Sequence, residues 1–333
     1  MTILVTGGAG YIGGHMVLGL LDAGEDVVVL DNMTNGTSLA VRDKAPLIVG
    51  DIGDYETVSS VLRTHEIEAV IHFAAQLITP ELYEDPLQYY LANTTKSRTL
   101  LAAASDHGVR HVIFSGTAAV YGDPEVNPVP ETARINPISP YGTSKLITEY
   151  MLRDLSAVSD LSYVTLRYFN VAGADPHGRY GQSTTKTTLL VQIAAQAALG
   201  LRPRMEIFGE DYPTIDGTCV RDYIHVTDLI DAHLAALRHL RGGGDNLTLN
   251  CGYGRGYSVR QILEMAMQVS GNTFEIHKGP RRRGDAVEVV ADASRIREVL
   301  GWTPRFDDVE TIVSHAVNWE KTLQQRREFD RRL

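Results

Sequence analysis

The chain is poor in cysteine, in long apolar runs and in positive charge. Only 2 cysteines, Cys219 and Cys251, occur among its 333 residues. Two thiols cannot build a disulfide framework or a cysteine-rich zinc site, and no metal site is expected. Two free, buried thiols in a reducing compartment are expected in preference to one bridge. No uninterrupted apolar run approaches the roughly 18 residues that a membrane helix requires. The opening Met-Thr-Ile-Leu-Val-Thr-Gly has neither the basic and apolar regions nor the cleavage site of a secretory leader. A cytoplasmic chain without a membrane partner is therefore expected. Lys and Arg total 31 against 41 Asp and Glu, a net charge of -10. That balance argues against nucleic-acid binding, which needs a basic face to displace counterions. It leaves open a local site for a small anion, because arginines cluster late in the chain.

What is present is ordinary for a folded α/β protein: 44% hydrophobic and 22% charged residues. The length allows two domains or one large α/β unit. Short β-rich runs alternate with longer helical patterns. Strands are expected at Ile3–Thr6, Val27–Asp31, Leu47–Val49, Ala69–Phe73, His111–Ser115 and Tyr163–Arg167, with helices near 12–23, 55–64, 86–106 and 141–157. Near-continuous apolar strands separated by helices predict a parallel sheet covered on both faces, with right-handed crossovers. The expected fold class is a Rossmann-type, doubly wound α/β domain over residues 1–170. A smaller α/β substrate domain over 171–333 follows it, and the chain has freedom to cross between the two more than once. In that second half the pattern predicts helices at Thr185–Leu199, Val226–Leu240, Val259–Val269, Ser294–Leu300 and Val309–Leu323, a strand at Leu247–Cys251, and a frayed, charged tail.

Thr6-Gly7-Gly8-Ala9-Gly10-Tyr11-Ile12-Gly13 joins the first strand to the first helix. Gly8, Gly10 and Gly13 fit G-x-G-x-x-G, and Gly7, Gly10 and Gly13 fit T-G-x-x-G-x-x-G. Such glycines allow a tight turn, a close approach to a pyrophosphate and close helix–strand packing. The helix N-terminus then offers free N–H groups to the phosphates. Asp31 ends the next strand, where a carboxylate binds an adenosine ribose and favours NAD over NADP. Asp51 follows the third strand, where it can face adenine or simply serve a turn. Small residues at Ala74 and Ala75 leave room beside a cofactor.

Tyr141-Gly142-Thr143-Ser144-Lys145 puts Tyr and Lys at i and i+4 on one helix face. A nearby ammonium lowers a phenol's pKa, and an oxidised nicotinamide acts in the same sense. A Tyr tuned this way is a general acid or base. Alone the spacing is common. It gains weight because it follows Ser115-Gly116-Thr117 at the end of the fifth strand, where the Thr117 hydroxyl can meet a substrate oxygen beside Tyr141.

On these motifs the chain resembles the extended short-chain dehydrogenase/reductases, and within them the nucleotide-sugar 4-epimerase branch. The resemblance covers nearly the whole chain. It includes TGGAGYIGGH at the start, EDPLQYYLAN at 84–93, SPYGTSK at 139–145 and RYFNVAGADPHG at 167–178. IFGEDYPTIDGTCVRDYIHVTDL at 207–229 is its most specific block. The resemblance implies interconversion of UDP-glucose and UDP-galactose through a transient 4-keto sugar, with NAD bound throughout. It implies a cofactor site at Gly7, Gly10, Tyr11, Ile12, Gly13, Asp31, Asn32, Asp51, Ile52, Phe73, Ala74, Ala75, Asn93, Ser115, Tyr168 and Phe169, with Tyr141 and Lys145 on the ribose and nicotinamide. Tyr141, Lys145 and Thr117 would carry the chemistry. Thr117 and Tyr141 would meet the sugar, and Asn170, Leu190, Ile207, Phe208, Arg221, Arg282 and Asp285 would hold the rest of a nucleotide diphosphosugar. A homodimer through the helices at 86–106 and 141–157 is implied as well.

Rival readings remain. Nucleotide-sugar 4,6-dehydration is disfavoured, because its enzymes place Asp-Glu after the Thr and this chain has Ala118-Ala119. A non-catalytic binding protein would be expected to lack Tyr141 or Lys145. A dehydrogenase would release NADH. The chain also departs from the branch. Gln76-Leu77-Ile78-Thr79 lacks the usual Lys, Thr187–Val191 lacks the usual Asn- or His-containing stretch, and Val289 is smaller than the Tyr known at its position. These departures favour, as the alternative, a 4-epimerase of another nucleotide sugar, such as a UDP-N-acetylhexosamine.

Overall fold

The computed structural model describes residues 1–333 except 38, 40, 42–43, 77–84, 185–186, 283, 331–333 and the side chains of 328–330. The first half runs β1 (Thr2–Thr6), α1 (Tyr11–Asp22), β2 (Asp26–Asp31), β3 (Leu47–Val49), α2 (Tyr55–Thr64) and β4 (Ile67–His72). It continues with α3 (Leu87–Tyr89), a π-helical turn (Tyr90–Thr95), α4 (Lys96–Asp106), β5 (His111–Thr117), α5 (Pro140–Ser156) and β6 (Ser162–Tyr168). The second half contributes β7 (Asn170–Ala172), α6 (Leu190–Ala198), β8 (Arg204–Phe208), β9 (Val220–His225), α7 (Val226–Arg241), β10 (Leu247–Cys251), β11 (Gly256–Ser258), α8 (Val259–Ser270), β12 (Glu275–Gly279), β13 (Glu288–Val289), α9 (Ser294–Leu300) and α10 (Val309–Asp330).

Seven strands form one sheet in the order β10-β6-β5-β4-β1-β2-β3, and every pairing in it is parallel. Both faces are covered. Ile3, Val5, Val27, Val29 and Ile71 turn to the layer that holds α1 and α7. Leu4, Val28, Leu30, Val70 and Phe114 turn to the layer that holds α2 and α4. This is why the strands read as unbroken apolar runs. The strand order reverses between β1 and β4, and the crevice at their carboxyl ends is where such sheets bind ligands.

Local chemistry sets the helix starts. Ser139 caps α5 by accepting from the Gly142 N–H, ahead of Pro140. Asp54 caps α2 through the Glu56 and Thr57 N–H groups. Ser258 and Gln261 form a reciprocal capping box on α8.

Beyond the large sheet, β9 is flanked by β11 and β13 and also pairs with β7, while β8 pairs with β12. A second core packs α6, α8 and α10 around Met205, Ile207 and Tyr223. The chain returns to the first unit, since β10 sits beside β6 in the large sheet. Several elements differ from the expectations. The helix expected from Thr185 begins at Leu190, and the 86–106 run is broken by the π-helical turn. The charged end of α10 stays helical to Asp330, because Gln, Arg and Glu are good helix formers. The short strands β9, β11 and β13 carry no clear alternation in the sequence.

Candidate active site

The glycine turn needs glycine at two points in particular. Gly7 has φ 69, and a Cβ there would lie 2.6 Å from the Ala74 backbone nitrogen, at the carboxyl end of β4. A Cβ on Gly13 would lie 2.1 Å from the Gly7 carbonyl oxygen. The turn is therefore pressed against both neighbouring elements, with Gly10 at its centre and Tyr11 and Ile12 opening α1. Asp31 fixes it from the side, accepting from the Ala9 N–H at 3.0 Å through one oxygen and from the Met33 N–H at 2.8 Å through the other. A carboxylate has further lone pairs for a ribose.

The second half of the chain braces the same turn. The Tyr180 hydroxyl lies 3.2 Å from the carbonyls of both Ala9 and Gly10. Tyr11 donates to the Gly173 carbonyl at 2.7 Å. Sequence reasoning missed Tyr180, because it sits in a polar loop with no periodic or motif signal.

The other expected cofactor residues fall into two groups. Phe73, Ala74 and Ala75 are half-buried just past β4, with Phe73 5.0 Å from the His233 ring. Phe169 and Tyr168 are buried at the end of β6, and Tyr168 bonds the Ser115 hydroxyl. Asn32 is exposed and accepts from the Thr34 N–H. Asp51 spends one oxygen on the Gly53 N–H and pairs the other with Lys96. Ile52 points into the core with Leu30 and Val58. Asn93 lies fully buried on the π-helical turn. It accepts from the Gln76 N–H at 2.7 Å and donates to the Gln76 carbonyl and to Ser144, each at 3.1 Å. Leu77, Ile78 and Thr79 lie outside the described residues.

Three groups converge at the mouth of β5. Thr117 is its last residue, and its hydroxyl accepts from the Ala119 N–H at 3.1 Å. Its hydroxyl also acts on Tyr141 in the sense that favours the phenolate. Tyr141 sits in the first turn of α5, half-buried and edge-on to Tyr89. Lys145, one turn further on, is buried with its Nζ 4.5 Å above the Phe114 ring. Among the described residues no carboxylate pairs with it. The expected electrostatic tuning is corrected here. Burial pushes Tyr141 up to about 12, more than Thr117 lowers it. Burial likewise pulls Lys145 down to about 7, with Glu149 opposing only in part. In the chain alone desolvation outweighs the neighbour effect of Lys145.

These features fit a dinucleotide. The cradle that a Cβ would fill, the Asp31 carboxylate beside it, and a buried ammonium lacking a counter-charge are what a pyrophosphate, a ribose diol and a nicotinamide ribose require.

The expected nucleotide-sugar residues lie on the second half. Arg221 on β9 is half-buried, donates to the Val220 carbonyl at 2.8 Å and stands opposite Val289 of β13. Arg282 stacks on Phe208 at 4.7 Å and pairs with Asp285 at 3.0 Å. Arg281 is taken up by Asp211 and the Tyr212 ring, and Arg283 lies outside the described residues. Asn170 is exposed at the start of β7, and Leu190 opens α6 half-buried. The Ile207 side chain points into the core instead, a correction that follows from the alternation of β8.

A sequence profile described as the NAD dependent epimerase/dehydratase family matches residues 3–252. The chain belongs to that family. Among curated proteins it is 52% identical over 323 residues to a UDP-glucose 4-epimerase of Azospirillum brasilense, covering 97% of this chain and 93% of that one. A crystal structure of UDP-glucose 4-epimerase from Brucella ovis, in complex with NAD, is 41% identical with TM-score 0.92, covering 95% of this chain and 97% of that one. A UDP-Glc/GlcNAc 4-epimerase from Campylobacter jejuni is 42% identical with TM-score 0.83, over 96% of this chain and 99% of that one. The glycine turn follows β1 and Thr117 ends β5, so both lie at the carboxyl edge of the same parallel sheet.

Proposed function

We propose that the chain is an NAD-dependent isomerase that interconverts UDP-glucose and UDP-galactose. The observation that carries this reading is the gathering of Thr117 at the end of β5 with Tyr141 and Lys145 one helical turn apart on α5, at the carboxyl edge of a sheet that carries a dinucleotide cradle. Thr117 and Tyr141 together receive the sugar 4-hydroxyl. Tyr141 takes the proton from O4 and later returns it. NAD, when bound there, would supply reversible hydride chemistry for C4, so no net oxidation would occur. Because burial holds Tyr141 near 12 in the chain alone, its phenolate depends on positive charge gathered beside it, from Lys145 and from the oxidised cofactor. Arg221 and Arg282 grip the diphosphate, and that remote binding energy retains the intermediate while the sugar turns over. Incubation with UDP-galactose should yield UDP-glucose without free NADH. Stoichiometric NADH release would overturn the reading.

A second substrate class is favoured by Val289. It is small, buried and opposite Arg221, and leaves more room beside the sugar than a Tyr. The reading therefore extends to UDP-N-acetylhexosamines, and failure to turn over UDP-N-acetylglucosamine would refute that extension.

The same reading places a nucleotide-binding domain at residues 1–170 and a sugar-nucleotide domain at 171–333, with β10 returned to the first. It also takes the protein to be a cytoplasmic homodimer. The free, buried thiols of Cys219 and Cys251 suit a reducing compartment. Leu87, Leu91 and Tyr150 are exposed on α3, the π-helical turn and α5, and a second copy would cover them. Light scattering should give twice the chain mass, and Leu91→Glu should shift it towards the monomer.

A further inference from the structure

The loop that carries Tyr180 grips α1 at both ends. A bridge between Ala174 and Gly181 closes the loop, and the Asp175 N–H donates to the Tyr180 carbonyl at 2.9 Å. At the start of α1, the buried Tyr180 hydroxyl lies 3.2 Å from the carbonyls of both Ala9 and Gly10, and its one hydrogen is shared between them. At the other end, Arg179 pairs with Asp175 at 2.7 Å and with Asp22, the last residue of α1, at 2.9 Å. Midway, the His15 ring packs 5.1 Å from the Tyr180 ring. Tyr11 returns the contact, donating at 2.7 Å to the Gly173 carbonyl at the entrance of the loop.

Those two carbonyls set the direction of the amides beside them, because a planar trans peptide points its C=O and N–H opposite ways. The Gly10 N–H donates to the Gly7 carbonyl at 3.1 Å and closes the turn. The Tyr11 N–H belongs to the first turn of α1, whose amides have no partner within the helix and suit an anion. Through the Gly10 carbonyl, Tyr180 therefore orients the peptide that would offer its N–H to a pyrophosphate.

Tyr180 is held in turn by α10. The Trp319 ring lies 6.1 Å from the Tyr180 ring, and Trp319 Nε1 donates to the Gln182 carbonyl at 3.0 Å. Gly181 lets the indole lie against the backbone between them, since a Cβ there would come within 2.4 Å of the Trp319 ring. Both aromatic side chains are more than nine-tenths buried. We propose that Tyr180 and Trp319 are positioning residues for the cofactor: a single latch, anchored on α10, that fixes the glycine turn and so sets how fast bound NAD escapes. The latch rests on the reading of that turn as the dinucleotide site, and adds to it a control over cofactor retention.

Exchange of bound NAD for radiolabelled NAD on the purified holoprotein tests the latch. Tyr180→Phe keeps the ring, and each carbonyl keeps a donor: the Thr37 N–H for Ala9 and the Gly14 N–H for Gly10, both at 2.8 Å. The variant should therefore fold. Its exchange should be roughly threefold to tenfold faster than that of the wild type, the worth of one hydrogen bond. Trp319→Phe should act in the same sense, and the double variant should show less than the product of the two effects, because both act through one latch. Leu263→Val, in the second core, should lower the melting temperature without changing exchange. Unchanged exchange in Tyr180→Phe, effects that simply multiply, or equal acceleration in Leu263→Val would overturn the latch and leave the cofactor site standing. A wild-type protein that holds no NAD would overturn both.

Discussion

Tyr141 and Lys145 hold each other's chemistry only weakly in the cofactor-free chain, and this makes their roles separable. Tyr141→Phe keeps the ring and removes the proton carrier. Turnover should fall by ~10²–10⁴-fold, the usual worth of a general acid or base, while NAD content stays unchanged. Steady-state kinetics with a cofactor assay on the same sample checks both. Lys145→Met should lower turnover as well, yet it should raise the melting temperature of the NAD-free chain, because it removes a buried ammonium that lacks an ion pair. A lower melting temperature would show that the Phe114 contact outweighs desolvation. Gly13→Ala tests the cradle. Its methyl would sit 2.1 Å from the Gly7 carbonyl oxygen, so the turn must open. NAD binding should weaken roughly tenfold or more by titration.

At the level of elements, the π-helical turn between α3 and α4 is the part that regular periodicity hides. It carries Asn93 inward, where one side chain clips the backbone after β4 to Ser144 on α5. Asn93→Ala leaves the Gln76 N–H and the Ser144 hydroxyl without these partners, at a cost of ~1–3 kcal/mol by denaturant unfolding. Because Ser144 neighbours Lys145 in sequence, turnover should fall as well as stability. A wild-type rate would restrict Asn93 to a scaffolding role. The buried Arg167–Glu149 pair, at 2.6 Å, ties β6 to the same helix. Glu149→Ala would strand a buried guanidinium and should destabilise the fold by ~3–5 kcal/mol.

Across the whole molecule, stability should depend on pH through buried imidazoles. Burial lowers His72 to about 3, and His15 and His233 to about 4. An imidazole in the unfolded chain titrates near 6.5. Between those values the unfolded state binds more protons, so stability falls as pH drops below about 6.5 and continues to fall towards 3–4. Each ring contributes up to ~1.4 kcal/mol per pH unit within its window. Asp222 and Asp228, which burial raises, act in the opposite sense and reduce the net slope. Urea midpoints between pH 4 and 7 should show the loss, and His72→Gln should flatten it by about one proton's share. An unchanged slope would mean that His72 does not titrate with unfolding.

The sequence by itself determined the parallel sheet, the glycine turn, Asp31 at the next strand end, and the Tyr141–Lys145 helix beside Thr117. All of these rest on local pattern: unbroken apolar runs for strands buried on both faces, a period of 3.6 for helices, a turn that only glycine can make, a strand end. Tertiary structure decided what spacing cannot encode. Long-range packing put β10 back beside β6 and brought Tyr180 under the glycine turn. It buried Ile207 and Ile52 in the core. It also decided the sign of the Tyr141 shift, because the cost of burying a charge is set by the whole surroundings of a side chain and not by its neighbour four residues away.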